Sequence, residues 1–137
     1  SQGAVQVGKP VHFEEMEPMD VIVVGCVAVT AQGGRTGKGG GFADLELGIF
    51  RELGKVPAHA QIVTTVHEVQ VVDNDRIEML AHDSALDWIA TPERIIQTHS
   101  PFPQPSGVAW DVVQDDQIRD IPFLLDLKHR LVASKAH

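Results

Sequence analysis

The chain has 137 residues, of which 43% are hydrophobic and 22% charged, with a formal net charge of −8. That length suits one domain, spanning 1–137, that buries about 65–70% of the surface its unfolded chain would expose. The acidic balance argues against broad electrostatic binding of nucleic acid or an anionic membrane.

Ser1 to Pro18 reads as an irregular or edge-strand lead-in. Val5, Val7 and Val11 alternate with polar residues there, and Gly8, Pro10 and Pro18 interrupt. No signal peptide is expected ahead of the first apolar run. Asp20 to Thr30 is nearly all apolar and rich in valine, which predicts one strand buried on both faces of a parallel sheet. The run is far too short to span a bilayer. The single cysteine, Cys26, lies inside it, which excludes an intrachain disulfide and predicts a buried thiol in a reducing, cytoplasmic compartment.

A glycine-rich stretch, Gln32 to Asp44, comes next and holds six of the chain's twelve glycines beside Arg35 and Lys38. After it, Phe42, Leu45, Ile49 and Leu53 mark one face of a helix ending at Gly54. Gln61 to Val72 predicts a second buried strand. With the first it makes a βαβ unit, whose carboxyl rim would gather the glycine stretch with His67, Glu68 and Gln70 in one crevice.

Asp73 or Asn74 is predicted to cap a short helix through Ala81, with Ile77 and Leu80 turned inward. Leu86 to Ala90 reads as a third strand and Arg94 to Thr98 as a short fourth. Pro101, Pro103 and Pro105 make an extended segment closed by Gly107. Val108 to Val113 is predicted as an edge strand anchored by Trp110. Asp120-Ile121-Pro122 begins a terminal helix with Phe123, Leu124, Leu127 and Leu131 as its stripe. The expected architecture is α/β, a mostly parallel open sheet with helices on both faces.

The glycine stretch suits a phosphate. Glycines admit positive φ and close approach, successive amides form a concave anion site, and the following helix adds its free N–H groups. Arg35 can fork onto phosphate oxygens while Lys38 supplies a point charge. Asp44, in the first helical turn, either caps the helix or holds a hard cation such as Mg²⁺. The stretch is neither a Walker A loop, because Gln32 and Gly39 occupy required positions, nor a dinucleotide fingerprint, because Phe42 replaces the last glycine. The competing reading is a plain glycine turn with solvated charges.

Other residues give weaker signals. The histidine spacing contains no zinc pattern. His67 reads either as a site residue or as an ordinary strand-end residue. His82, Asp83 and Asp87 read as caps that orient the next strand. Ser84 and Ser106 have no evident base partner, and Trp88 and Trp110 read as core or interface anchors.

Arg35-Thr36-Gly37-Lys38-Gly39-Gly40-Gly41-Phe42-Ala43-Asp44 resembles the Arg-x-Gly-x-Gly-x-Gly-Tyr-Tyr-Asp signature of the 5-formyltetrahydrofolate cyclo-ligase family. The strand Asp20 to Gly25, Gln70 and the segment His82 to Thr91 are similar to further family patterns. Thr64 to Asp73 and Gly107 to Trp110 resemble the methenyltetrahydrofolate synthetase domain-containing branch. The resemblance covers about residues 20–125.

It implies a fold of the sugar-isomerase and CoA-transferase type and ATP-dependent conversion of 5-formyltetrahydrofolate to 5,10-methenyltetrahydrofolate. In that reaction the formyl oxygen attacks the γ-phosphate, N10 closes the ring and phosphate leaves. By resemblance, Arg35 and Lys38 are the catalytic cations. Arg35, Gly37, Lys38, Gly39, Gly40 and Gly41 hold the triphosphate, Asp44 holds Mg²⁺, and Phe42 lines the pterin pocket; His67, placed near the site by the sheet-rim argument, is the second expected substrate-binding residue.

Two departures stand out. Ala43 replaces the second tyrosine, and the family's N-terminal segment, with a Lys and an Arg for the nucleotide and a Glu for the folate, is expected to be missing. The expectation is then a fragment, a domain completed by a partner or a second copy in a homodimer, or a remnant that binds the nucleotide or phosphate without the reaction; the alternative is a non-catalytic interaction or regulatory module of the same fold.

Overall fold

The computed structural model describes residues 15–37, 42–120, 123 and 126–130. Its strands are β1 (Val21–Val23), β2 (Ala28–Thr30), β3 (Arg35–Thr36), β4 (Gln61–Thr65), β5 (Val71–Val72), β6 (Trp88–Ala90) and β7 (Ile95–Gln97). Helices among the described residues include α1 (Phe42–Glu52) and α2 (Asp115–Asp120). None of the described helices is long and apolar enough to cross a membrane.

The strands form two sheets rather than one. A four-stranded sheet runs β1-β4-β6-β7 and a three-stranded sheet runs β3-β2-β5. The β1–β4 and β4–β6 pairs are parallel, and β7 returns antiparallel to β6. In the smaller sheet β2 lies parallel to β5 and antiparallel to β3. The parallel relation expected between the first two apolar runs therefore holds in both sheets. Each run, however, is broken in the middle.

The first break has a physical account. Val24 N–H still donates to Val63 O at 2.9 Å, whereas Val27 N–H donates to Thr36 O at 2.8 Å, so the chain changes sheets around Gly25 and Cys26. Leaving one ladder before joining the next exposes backbone carbonyls that need partners. The Gln70 amide supplies them, donating to Cys26 O at 3.2 Å and Val27 O at 3.1 Å. Gln70 is placed to do so because a 3₁₀ turn, Glu68–Gln70, interrupts the second apolar run between β4 and β5. His67 caps that turn, its Nδ1 accepting from Val69 N–H while Gln70 Oε1 accepts from His67 N–H, a reciprocal capping box.

One face of the larger sheet is covered. Ile22, Ile62 and Ile89 pack there with Leu47 of α1, Val29 and Leu86. The buried Thr64 hydroxyl donates to Val24 O at 2.6 Å, so that core carries a satisfied polar group. The opposite face carries Val21, Val23 and Ile95, which remain 59%, 68% and 73% exposed. The expectations of a strand buried on both faces and of helices on both faces are corrected here for the described residues.

Helix α1 ends as its sequence predicts, with Gly54 at φ 70°. Its predicted stripe faces the C-terminal segment rather than the sheet. Leu45 and Ile49 pack with Val108 and Leu127, and Leu53 joins their edge. Leu47 serves the sheet from another side of the helix. The single stripe read from periodicity was half of a two-sided burial.

Further along, Asn74–Arg76 is a 3₁₀ turn in place of the predicted helix; Ile77 is buried but Leu80 is 51% exposed. Val108 to Val113 is no edge strand, since Trp110–Val112 forms a 3₁₀ turn. A short helix, Asp115–Asp120, stands ahead of the predicted terminal helix, whose start just beyond Asp120 lies outside the described residues. The lead-in before Glu15, Pro122, Leu124 and Leu131 lie outside the described residues.

Candidate functional site

The glycine-rich stretch serves two purposes, and its first half is a hairpin turn. Between β2 and β3, Gly33 N–H donates to Thr30 O and Thr30 N–H to Gly34 O, both at 2.9 Å. Gly33 has φ 93°, and a Cβ there would sit 2.5 Å from Leu86 O. Only glycine fits that turn against that neighbour. Gly33 O also accepts from Leu86 N–H at 2.9 Å, which docks the hairpin on the segment before β6.

The hairpin delivers Arg35 into the interior. Its side chain is 3% exposed, and Nη1 donates to Asp44 Oδ1 at 2.8 Å. The ion pair therefore bridges the segment that separates β3 from α1. Gly37 lies over the guanidinium, where an added Cβ would meet Arg35 Nη2 at 3.5 Å. Arg35 Nε is buried and has no partner among the described residues. Lys38, Gly39, Gly40 and Gly41 lie outside the described residues, as does the side chain of Phe42.

Asp44 Oδ1 accepts a second hydrogen bond from Ser84 N–H at 2.8 Å. No described residue donates to Oδ2, and Asp44 lines a cavity of about 370 Å³ with Leu45, His82, Asp83, Val108 and Gln117. A volume of that order suits a small molecule or part of one. His82 Nε2 lies 3.5 Å from Asp83 Oδ1, and Asp83 Oδ2 accepts from Leu80 N–H at 2.9 Å. Asp83 thus closes a turn at Leu80 rather than capping the predicted helix, which is not formed, and both residues also form the cavity wall. Asp87 Oδ2 accepts from Ile62 N–H at 2.8 Å, orienting β6 against β4.

Burial pushes the Asp44 carboxyl above its ordinary pKa of 3.8, while the Ser84 bond and the Arg35 charge pull it back less strongly. A carboxyl raised on folding contributes stability that is full below pH 3.8 and lost as pH rises through the folded value. The stability of the wild type relative to Asp44→Asn is therefore expected to shrink from pH 3.8 upward. Urea unfolding of both proteins across that range measures it; a relative stability that grows with pH would contradict the burial account.

His67 stands elsewhere. It lines a separate cavity of about 400 Å³ with Thr65, Gln70, Ala90 and Thr91. The crevice expected to unite His67, Glu68 and Gln70 with Asp44 is not formed by the described residues. Glu68 instead takes Arg94 in a two-pronged pair, Nε to Oε1 at 2.8 Å and Nη2 to Oε2 at 3.1 Å. These bonds, with one from the Thr91 hydroxyl, hold its carboxyl below the usual range.

Among the described residues no group of three or more His, Cys, Asp or Glu could hold a metal ion. The donor set fits only a cation that arrives with most of its ligands. Mg²⁺ carried by phosphates and completed by one protein carboxylate is such a case, and Asp44 Oδ2 is the carboxylate oxygen left for it.

A model of the 5-formyltetrahydrofolate cyclo-ligase family matches residues 5–92. The chain belongs to that family. Within it, the chain is similar to methenyltetrahydrofolate synthase domain-containing proteins: 38% identical over 130 residues to the one from Bos taurus and 39% identical over 130 residues to the one from Mus musculus. Each match covers 95% of this chain, and 34% and 35% of those relatives respectively. A 5-formyltetrahydrofolate cyclo-ligase from Mycolicibacterium smegmatis is 35% identical over 81 residues, 59% of this chain and 38% of that protein. The chain thus spans about a third of the length of the curated relatives it matches.

Arg35 and Asp44 meet directly across the glycines that separate them. Ser84 was weighed only as a nucleophile, and Arg51 escaped the sequence reading although it stands seven residues beyond Asp44 on the same helix. At 3.6 residues per turn that spacing puts both on one side, which was the available signal.

Proposed function

We propose that this chain is a cyclo-ligase-like domain that binds the triphosphate of ATP, accompanied by Mg²⁺, at the segment bridged by Arg35 and Asp44. Lys38 and the amides of Gly37 and Gly39 to Gly41 are assigned to the phosphate oxygens. Asp44 Oδ2 is assigned to the cation, and Phe42 to the reduced folate beside it. Mg²⁺ would supply charge neutralisation of the phosphates. The chain's own residues orient and hold, which is most of what phosphoryl transfer asks of a protein.

The observation that carries the reading is the Arg35 guanidinium. Anchored through Nη1, it leaves a buried Nε–H without a partner among the described residues, next to Gly37. An orphaned buried donor costs about 1–3 kcal/mol, so an oxygen acceptor at that place is favoured. Arg35 then reaches a phosphate oxygen through Nε while holding Asp44 through Nη1, and Lys38 supplies the second cation.

Calorimetric titration with ATP·Mg tests the proposal. The wild type is expected to bind and Lys38→Ala to bind about 10–100-fold more weakly, the worth of one charge-assisted contact. No heat at millimolar ATP would reject the nucleotide.

A second reading, a non-catalytic interaction module of the same fold, is favoured by Ala43 at the second aromatic position of the signature and by the commitment of Arg35 to Asp44. It predicts a stable complex with a partner and no conversion of 5-formyltetrahydrofolate, whereas turnover in the presence of ATP·Mg excludes it.

A further inference from the structure

Asp44 and Arg51 lie two turns apart on α1, and the same residue touches both. Ser84 is fully buried; its N–H donates to Asp44 Oδ1 at 2.8 Å and its Oγ accepts from Arg51 Nη1 at 2.8 Å. The strap that carries Ser84 is pinned at the next two residues as well. Ala85 is held at both its N–H and its carbonyl by the Gln104 side chain, at 3.0 and 2.9 Å. Leu86 N–H donates to Gly33 O at 2.9 Å. The Arg51 side chain meets Ser84 from the far side, where it lines a different cavity with Ile62, Gln104 and Pro105. It makes no hydrogen bond or ion pair with Asp44.

We infer that Arg51 and Ser84 are positioning residues for Asp44: Arg51 fixes the Ser84 hydroxyl, Ser84 N–H with Arg35 saturates Oδ1, and Oδ2 is thereby aimed into the cavity. Two donors on one oxygen define the carboxylate's rotation as well as its position. A turn of the side chain toward solvent would surrender a charge-assisted bond and a buried backbone bond together. Arg51 acts from the last turn of α1, and burial lowers its pKa while the Asp44 and Asp87 charges raise it. It stays protonated as an arginine does. This inference rests on the proposed use of Asp44 toward a nucleotide-borne cation, but its geometry can be tested apart from that use.

The test has two arms, run on the wild type, Arg51→Met, Arg51→Lys and Ser84→Ala. Amide hydrogen exchange is read at residue 84 and, as an internal control, at Ile62. Nucleotide affinity is read with ATP·Mg and with ATP in chelator.

Arg51→Met is expected to speed exchange at Ser84 about tenfold or more with Ile62 unchanged. It should cut the affinity gained from Mg²⁺ about fivefold or more while leaving metal-free ATP within about twofold, the size of one lost orienting bond. Arg51→Lys restores most of both. Ser84→Ala removes only the hydroxyl and gives the same pattern, which keeps the test open if Arg51→Met fails to fold. Unchanged exchange at residue 84 overturns the inference, as does an equal loss of both affinities. A wild type that binds no ATP overturns the proposed function instead, and the exchange arm alone then decides for or against the positioning.

Discussion

Gly33→Ala is expected to destabilise the protein by about 2–5 kcal/mol, combining a left-handed backbone strain of about 1–3 kcal/mol with an overpacking cost of similar size. The site has no slack. Gly33 is at φ 93°, and the new methyl would fall 2.5 Å from Leu86 O and 3.1 Å from Ser100 Cβ. The first is a backbone atom that also belongs to the core, because Leu86 is fully buried and its carbonyl accepts from the Thr98 hydroxyl at 2.6 Å. Relief therefore requires moving β2, β3 or the strap before β6. Denaturant unfolding measures the effect, and a loss under about 0.5 kcal/mol, the size of an inconsequential surface change, would mean that the hairpin is not seated against Leu86. A glycine two residues before Arg35, in a glycine-rich stretch, invites a phosphate interpretation; here its geometry assigns it to folding.

Arg35→Met is expected to cost about 2–4 kcal/mol. Removing one member of a buried ion pair costs about 3–5 kcal/mol because the other charge is left without compensation. The lower figure reflects that the Asp44 side chain is still 17% exposed on its cavity side. Adding Asp44→Asn to Arg35→Met should recover part of the loss, since the stranded charge is then gone while an acceptor for Ser84 N–H is kept. A double-mutant cycle by urea unfolding reads the coupling directly. If the two substitutions add without coupling, the pair does not close the base of the glycine segment.

The two expectations show why the sequence was legible in some places and not in others. Parallel pairing of the two valine-rich runs was readable because apolar runs of that length have few other uses in an α/β chain. Their division between two sheets was not, because it depends on Gln70 reaching Cys26 O and Val27 O across 43 or 44 residues of chain. The stop at Gly54 was legible from a local rule, the left-handed C-terminal glycine. The stripe on α1 was legible as one face of a helix but its neighbour was not, since periodicity reports which residues turn inward and not what they meet.

The same limit applies at the site. Residue types and spacing marked Arg35 and Asp44, yet no spacing rule says that a cation two residues before Gly37 will fold back onto a carboxylate in the next helix. Ser84 was dismissed for lacking a base, and it contributes through its backbone N–H, a group every non-proline residue carries. Val108 and Val112 were read as part of a strand and line the cavity on and beside a 3₁₀ turn instead. His67 was drawn toward the site by the parallel-sheet rim argument. The 3₁₀ turn that it caps places it in a cavity whose lining shares no residue with that of Asp44.

The titration with ATP·Mg, followed residue by residue through backbone amide resonances, tests the central claim most directly. Shifts concentrated at residues 35–45 and 82–84, with residues 65–70 unmoved, are the predicted result. Shifts gathered around His67 and Thr91, or none at saturating nucleotide, would contradict it.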